Sequence, residues 1–243
     1  MKLSIAHLYP NLLNIYGDRG NILTIKQRCQ WRDIEVEITE IDIEDQIDPD
    51  KYDFYFIGGG QDQQQITVAK RLQEVSKQIH EAVDTGAVIL AICGGYQLLG
   101  HYYQPFDGDK LEGISVIDAY TVAGNTRFIG NVTIELDESF NIEPKTLVGF
   151  ENHSGLTYLG KDIKPIGKTL TGNGNNGSDG QEGAVYKHVY GTYLHGSLLP
   201  KNPHFSDLLI TQALSRKFGN VKLESIDDKI ELNAHNKVIN KKY

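Results

Sequence analysis

The stretch that decides the fold is residues 87–97, which read AVILAICGGYQ. Its first six residues are all apolar, as in a central parallel strand that is covered on both faces. A cysteine and two glycines follow directly, which favours a tight turn from the strand into a helix. The pattern predicts a nucleophile elbow that projects Cys93 at the carboxyl edge of the sheet. A helix beginning at Gly94 or Gly95 would favour the thiolate form of Cys93.

A single cysteine in this position has a second interpretation, because most lone cysteines are buried and inert. The spacing by itself leaves the two interpretations about evenly balanced. Cys29 and Cys93 are the only cysteines, so neither a disulfide framework nor a CxxC metal pair is expected. Residues 1–7 lack the apolar core of a signal peptide, and no apolar run reaches the roughly 20 residues of a membrane span. We therefore expect a reduced, cytoplasmic protein.

The segments on either side of this stretch alternate between strand and helix patterns. Such alternation predicts an α/β fold with a mostly parallel sheet and right-handed crossovers. In the helix from 21 to 31, Asn21 is the expected N-cap. The predicted strands of this half are 2–8, 36–41, 52–57 and 87–92, and the predicted helices are 21–31 and 66–83.

The second half is richer in β-structure. Residues 172–183 (GNGNNGSDGQEG) form a low-complexity loop that is not expected to build a core. We assign residues 1–200 to one domain, and residues 201–243 to a C-terminal helix and charged tail of the same domain. The predicted elements are strands 114–117, 131–136, 147–150, 184–186 and 190–194 and a helix at 208–218.

Composition narrows the possible partners. The chain has 243 residues, of which 40% are hydrophobic and 23% charged, which is an ordinary globular balance. Its formal net charge of −8 repels phosphate backbones, so nucleic acid is an unexpected partner.

Three glycines, Gly58-Gly59-Gly60, follow the strand that neighbours residues 87–92 in the predicted sheet. Glycines let backbone N–H groups approach a ligand closely, as an oxyanion hole requires. A simple turn or a phosphate loop is the alternative. Neither G-x-G-x-x-G nor GxxxxGK[ST] occurs, so nucleotide binding has little support.

A general base for Cys93 has to come from elsewhere in the chain, which contains eight histidines. His195 stands at the end of a short predicted strand, in Gly191-Thr192-Tyr193-Leu194-His195-Gly196. His153 is the main rival for the role.

Two motifs resemble those of class I glutamine amidotransferases. Cys93-Gly94-Gly95-Tyr96-Gln97 is similar to their C-x-G-x-Q nucleophile motif, and residues 191–196 resemble the G-x-Y-x-H-G motif of the branch related to cobyric acid synthase. The resemblance implies a class I amidotransferase-like α/β fold. It also implies glutaminase activity with Cys93 and His195 as catalytic residues, and an oxyanion hole of backbone N–H groups at Gly60 and Gly94.

One position departs from the pattern of many family members. A glutamate often lies two residues after the histidine, but Ser197 stands there in this chain. The cobyric acid synthase-like branch is similar in lacking it, which makes a Cys–His dyad the natural interpretation. Asp18 and Glu151 remain alternatives for an acid that orients His195.

A closer resemblance, to glutaminase subunits that serve cell-wall synthesis, rests on residues 14–21, 56–60, 125–127, 149–153 and 191–196. It implies that Arg127 binds the α-carboxylate of glutamine, although a surface ion pair is the ordinary role of such an arginine. Gln97 is expected to help seat the substrate.

The same resemblance implies a heterodimer. No metal or cofactor is expected in this chain, while ATP and Mg are expected on a Mur-ligase-like partner that activates the D-glutamate α-carboxylate of lipid II. Lipid II would be reached only through that partner. The alternatives are a glutaminase that serves another acceptor, such as a corrinoid acid, or a non-catalytic scaffold subunit.

Overall fold

The computed structural model of the protein describes residues 1–15 and 17–240. The described strands are β1 (Lys2–Leu8), β2 (Glu35–Ile41), β3 (Phe54–Ile57), β4 (Val88–Ile92), β5 (Tyr102–Gln104), β6 (Leu111–Glu112), β7 (Ala119–Leu136), β8 (Thr146–Leu159), β9 (Gly167–Thr171), β10 (Gln181–Glu182), β11 (Ala184–Tyr186) and β12 (Val189–Thr192). The helices are α1 (Arg19–Gln30), α2 (Asp62–Glu74), α3 (Ser76–Asp84), α4 (Gly94–Leu99), α5 (Pro203–Phe218) and α6 (Lys229–Ile239), with a 3₁₀ turn at Leu199–Lys201.

The first sheet has the strand order β11-β12-β4-β3-β1-β2. Its pairs are parallel except for β11 with β12. All five residues of β4 are buried, because this strand has neighbours on both sides and apolar groups on both faces. The carboxyl ends of β3, β4 and β12 therefore meet at one edge. The predicted α/β class with a mostly parallel sheet is confirmed.

The second sheet is built around a long antiparallel pair. β7 and β8 pair from Ala119–Leu159 to Glu135–Thr146, with an irregularity in register between Ala123 and Phe128. The strand order of this sheet is β10-β9-β7-β5-β6, and β8 pairs with β7 outside that order. The predicted β-rich second half is confirmed, and the irregular segment of β7 carries Arg127.

Two predictions in the first half are corrected by the structure. The helix expected over 66–83 is two helices, α2 and α3, because Val75 adopts φ −105° and ψ 12°, outside the helical range. The apolar stripe runs through this break, since Val75 is itself buried, so periodicity cannot detect it. Asn21 is not an N-cap: Asp18 precedes α1, and the Asn21 Oδ1 accepts a hydrogen bond from Leu199 N at 2.9 Å.

The strand expected at 114–117 is also absent. The backbone N–H groups of this segment donate to the end of α4 instead of to a strand. Ile114 N–H donates to Leu98 O at 3.0 Å, and Ile117 N–H donates to Leu99 O at 2.9 Å. Ser115 has a φ of 55°, a value outside the β region. Residues 114–117 therefore contribute apolar side chains to the core without pairing as a β-strand.

The low-complexity loop and the tail are more ordered than expected. The Asn175 side chain is buried. Its Nδ2 donates to Gly183 O at 2.9 Å, and its Oδ1 accepts from Gly183 N–H at 3.0 Å. Polar groups that are fully paired in this way can be buried without apolar content. The charged tail contains α6, whose His235 is buried. No helix within the described part of the chain is long and apolar enough to cross a membrane.

Candidate active site

Cys93 occupies a sharp turn between β4 and α4. Its φ of 49° and ψ of −104° are rare for a residue with a side chain. Its backbone N–H donates to Thr192 O at 2.8 Å, and Gly95 N–H donates to Gly58 O at 3.1 Å. The turn is thus tied to the ends of both neighbouring strands, and the geometry is that of the predicted nucleophile elbow.

His195 lies just beyond β12, the neighbour of β4. Its backbone forms two hydrogen bonds with Phe150 of β8, at 2.8 Å for His195 N–H to Phe150 O and 3.2 Å for the reverse. This bridge holds the ring beside Cys93, since a Cβ built on Gly59 would lie within 3.3 Å of both His195 Cε1 and Cys93 Cβ. The structure therefore brings the predicted nucleophile and base together, although they are far apart in sequence.

A buried carboxylate stands behind the histidine. Asp18 Oδ1 lies 3.4 Å from His195 Nδ1, and both side chains are 0% exposed. The other oxygen, Oδ2, accepts a hydrogen bond from Gly59 N–H at 2.8 Å. Of the two acids that the sequence left open, Asp18 is the one beside His195.

Glu151 and Ser197 have other contacts. Glu151 accepts hydrogen bonds from the backbone N–H groups of Asn173 and Gly174 at 3.0 to 3.1 Å, which fixes the loop after β9. The Ser197 hydroxyl donates to Gly17 O at 2.5 Å. Ser197 therefore anchors the turn before α1 and does not position an acid beside His195.

The electrostatics of the site favour a charged histidine. Burial opposes the imidazolium and lowers the pKa of His195, but the negative charge on Cys93 and the carboxylate of Asp18 outweigh burial, so the pKa is raised. An imidazolium beside sulfur stabilises thiolate, the reactive form of cysteine. Cys93 and His195 are thus the candidate nucleophile and base of this site.

The glycines of the site are required by close backbone approach. A Cβ on Gly59 would lie 2.9 Å from His195 Cε1 and 3.3 Å from Cys93 Cβ. A Cβ on Gly94 would lie 3.2 Å from the backbone N of Gly60. The two predicted oxyanion donors, Gly60 and Gly94, are thus adjacent at the elbow.

A cavity of about 260 Å³ opens above Cys93. Arg127 borders it from the irregular part of β7, and its Nε donates to Asn152 Oδ1 at 2.6 Å. Gln97, on α4, also lines the cavity. The cavity therefore gathers a nucleophile, a guanidinium and a carboxamide, groups that complement a small amino-acid substrate.

Gln97 belongs to a buried chain of hydrogen bonds. Its Oε1 accepts from Gln65 Nε2 at 2.8 Å, and its Nε2 donates to the Tyr193 hydroxyl at 3.1 Å. The chain continues from Tyr193 to Thr157 at 2.6 Å and from Thr157 to Thr121 at 2.7 Å. Both the oxygen and the nitrogen of the Gln97 carboxamide therefore have a hydrogen-bond partner within the protein.

Sequence reasoning had missed Gln65 and Tyr193 as site residues. Tyr193 carried a signal, since it is the tyrosine of the G-x-Y-x-H-G motif. Gln65 carried none, because it is one of three consecutive glutamines on an amphipathic helix.

His153, the rival base, also borders the cavity. Its ring stacks on Tyr193 with centroids 3.7 Å apart, and its Nδ1 is 2.8 Å from Gly155 O. Burial lowers the pKa of His153 to about 4, so its ring is neutral. Among residues 1–15 and 17–240, no group of three or more His, Cys, Asp or Glu side chains could hold a metal ion.

Two curated relatives are similar to nearly the whole chain. The lipid II isoglutaminyl synthase (glutamine-hydrolyzing) subunit GatD of Streptococcus pneumoniae is 42% identical over 229 residues, covering 93% of this chain and 86% of that protein. The same subunit of Staphylococcus aureus is 40% identical over 240 residues, covering 99% and 96%. A probable cobyric acid synthase of Methanocaldococcus jannaschii is 32% identical over 168 residues, but these are 64% of this chain and 32% of that protein.

Solved structures are similar at the level of the fold. One described as a glutamine amidotransferase superposes with a TM-score of 0.55 at 12% identity, covering 86% of this chain and 98% of the other. The glutaminase domain of Trypanosoma brucei CTPS with bound acivicin gives a TM-score of 0.50 at 12% identity, covering 88% and 94%. The family model of the CobB/CobQ-like glutamine amidotransferase domain matches residues 4–203, and the chain belongs to this family.

Proposed function

We propose that this chain is the glutaminase subunit of a lipid II isoglutaminyl synthase and works in the cytoplasm. It hydrolyses L-glutamine to glutamate and ammonia. The observation that carries the proposal is that Cys93 and His195 both lie against Gly59, and that Cys93 and Arg127 line one cavity. The similarity to two curated subunits of that enzyme, at 42% and 40% identity, supports the choice of acceptor.

In this mechanism the Cys93 thiolate attacks the side-chain carboxamide carbon of glutamine. The carbonyl oxygen becomes an oxyanion that accepts hydrogen bonds from the backbone N–H groups of Gly60 and Gly94. His195 then gives its proton to the leaving nitrogen, so that ammonia departs and a thioester to Cys93 remains. A water molecule deprotonated by His195 hydrolyses the thioester and releases glutamate.

Asp18 acts through His195 in this scheme. Its carboxylate lies 3.4 Å from His195 Nδ1, where it stabilises the positive charge and fixes the ring orientation. Arg127 binds the α-carboxylate of glutamine by two parallel N–H···O bonds, and Asn152 holds the guanidinium at the rim. Gln97, which also lines the cavity, helps to seat the substrate.

The ammonia is used on a partner chain. We propose a heterodimer with a Mur-ligase-like synthetase, which binds ATP and Mg, activates the D-glutamate α-carboxylate of lipid II and accepts ammonia to form D-isoglutamine. This chain needs no metal or cofactor of its own in that scheme. It reaches lipid II only through the synthetase.

The proposal is tested with the purified chain, the synthetase, lipid II and ATP. We expect glutamate release and amidated lipid II with glutamine as nitrogen donor, and Cys93→Ala should abolish both. Ammonium chloride should restore amidation in the Cys93→Ala complex, because only the nitrogen supply is lost. Cys29→Ala is the matched control: burial raises the pKa of Cys29 to about 12, which leaves it an inert thiol. Wild-type ammonia release by Cys93→Ala would contradict the nucleophile, and amidation of a corrinoid acid instead of lipid II would contradict the acceptor.

A further inference from the structure

A surface groove continues the Cys93 cavity outward. The groove has a volume of about 420 Å³ and shares Tyr103 and Ser154 with the cavity wall. Its remaining wall is formed by residues 105–107 and 123–125. A small molecule that leaves Cys93 past Tyr103 and Ser154 therefore enters this groove.

Large apolar side chains stand beside this exit. Phe106, in the groove, is 73% exposed. Ile129, at 61% exposed, pairs directly with Asn152 across β7 and β8, so that their side chains share one face of the sheet. Asn152 lines the cavity, which places Ile129 next to its mouth. Single exposed apolar residues are ordinary, but Phe106 and Ile129 both lie beside the opening that leads to Cys93.

The chemistry of the product favours an opening that is covered by the consumer of ammonia. Ammonia attacks an activated carboxylate through its nitrogen lone pair. In water at neutral pH the nitrogen takes up a proton, and the resulting ammonium ion has no lone pair to offer. A consumer that covers the exit receives the product as ammonia, before most of it is protonated in bulk water.

We infer that the groove and its rim, anchored by Phe106 and Ile129, are the docking surface for the ATP-dependent synthetase that consumes the ammonia. This inference rests on the proposed function. The charged residue that lines the groove is acidic, Asp107, and the nearby Lys110 is paired with Glu112 at 3.0 Å. The matching face of the synthetase is therefore apolar at its centre and basic around it.

The test uses the full chain with aspartate substitutions, Phe106→Asp and Ile129→Asp. Phe218→Asp is the matched control, because Phe218 is 48% exposed at the end of α5 and borders neither the groove nor the cavity. We expect each rim variant to weaken synthetase binding in calorimetry by roughly 10- to 30-fold, as loss of an interface anchor does. The control should bind like the parent, and the glutaminase rate of each isolated chain should be unchanged.

Amidation assays complete the test. With the rim variants, glutamine-dependent amidation should fall at subsaturating synthetase, while ammonium-dependent amidation stays at the parental rate. Parental affinity in both rim variants would overturn the docking surface and leave the proposed function standing. A wild-type chain that binds the synthetase without amidating lipid II would overturn the proposed acceptor alone. Failure of the wild-type chain to bind would overturn both, and a homodimer that Phe106→Asp dissociates would assign the surface to a second copy of this chain.

Discussion

At the scale of single residues, the Cys93 backbone is held in a conformation that only glycine adopts without strain. Positions of this kind cost about 1–3 kcal/mol in residues with a side chain, and φ here is 49°. Cys93→Gly should therefore be inactive, yet more stable than Cys93→Ala by about 1 kcal/mol. Urea unfolding of the two variants measures the difference. Equal stability would show that the surrounding contacts absorb the strain.

Asp18 is a positioning residue whose effect is visible in the titration of His195. Asp18→Asn removes the negative charge that helps to raise the His195 pKa, so that pKa should fall and the glutaminase rate should drop by about 10²-fold. A raised histidine pKa stabilises the fold fully below the unfolded value near 6.5, and this contribution is lost as pH rises through the folded-state pKa. NMR titration of the imidazole checks the direction. A parental His195 pKa in Asp18→Asn would exclude the electrostatic role.

Arg127 is expected to act on substrate binding and to leave the nucleophile unaffected. A charge-assisted contact is worth about 1.5–3 kcal/mol, so Arg127→Ala should lower kcat/KM for glutamine by about 10- to 100-fold, chiefly through KM. Arg127→Lys should recover part of this loss, because a point charge lacks the forked geometry. Alkylation of Cys93 by iodoacetamide should keep the parental rate. An unchanged KM in Arg127→Ala would return this residue to a surface ion pair.

At the scale of elements, strand β12 and the residues after it connect the two sheets through the hydroxyl of Tyr193. Tyr193→Phe removes the acceptor for Gln97 Nε2 and keeps the ring that stacks on His153. We expect KM for glutamine to rise by about 5- to 10-fold with little change in kcat, in line with the loss of the hydrogen bond that orients Gln97. Tyr190→Phe is the matched control: its hydroxyl donates to Gln212 at 2.8 Å, outside the cavity lining. Equal effects of the two variants would indicate a general packing role.

At the scale of the whole molecule, one buried arginine connects the first helix to the C-terminal helices. Arg28 donates to Asp207 of α5 at 2.7 and 2.8 Å and to Asp228, just before α6, at 2.6 and 3.1 Å. Breaking a buried ion pair costs about 3 kcal/mol or more, so Arg28→Ala should lower the free energy of unfolding by about that amount.

The control for this prediction is an exposed ion pair. Lys187 lies 2.8 Å from Asp84 with both side chains largely in water, and Lys187→Ala should leave the urea midpoint unchanged. Similar midpoints for Arg28→Ala and the parent would show that water replaces the buried contacts.

Sequence alone determined the parts of this protein that are encoded locally. The apolar run of β4 followed by Cys93 and glycines predicted the elbow, since strand burial and turn geometry depend on neighbouring residues. The α/β class followed from the alternation of strand and helix patterns. Family resemblance added His195 and Arg127, and the structure places both of them at the Cys93 site.

Only the tertiary structure decided which distant groups meet. Asp18 reaches His195 because β1, β3, β4 and β12 are neighbours in one sheet, and no local pattern states that order. Gln65 meets Gln97 for the same reason, and the break at Val75 and the strandless segment at 114–117 arise from contacts across the chain. Periodicity reports which face of an element is buried, whereas the distance between two side chains depends on how the elements pack.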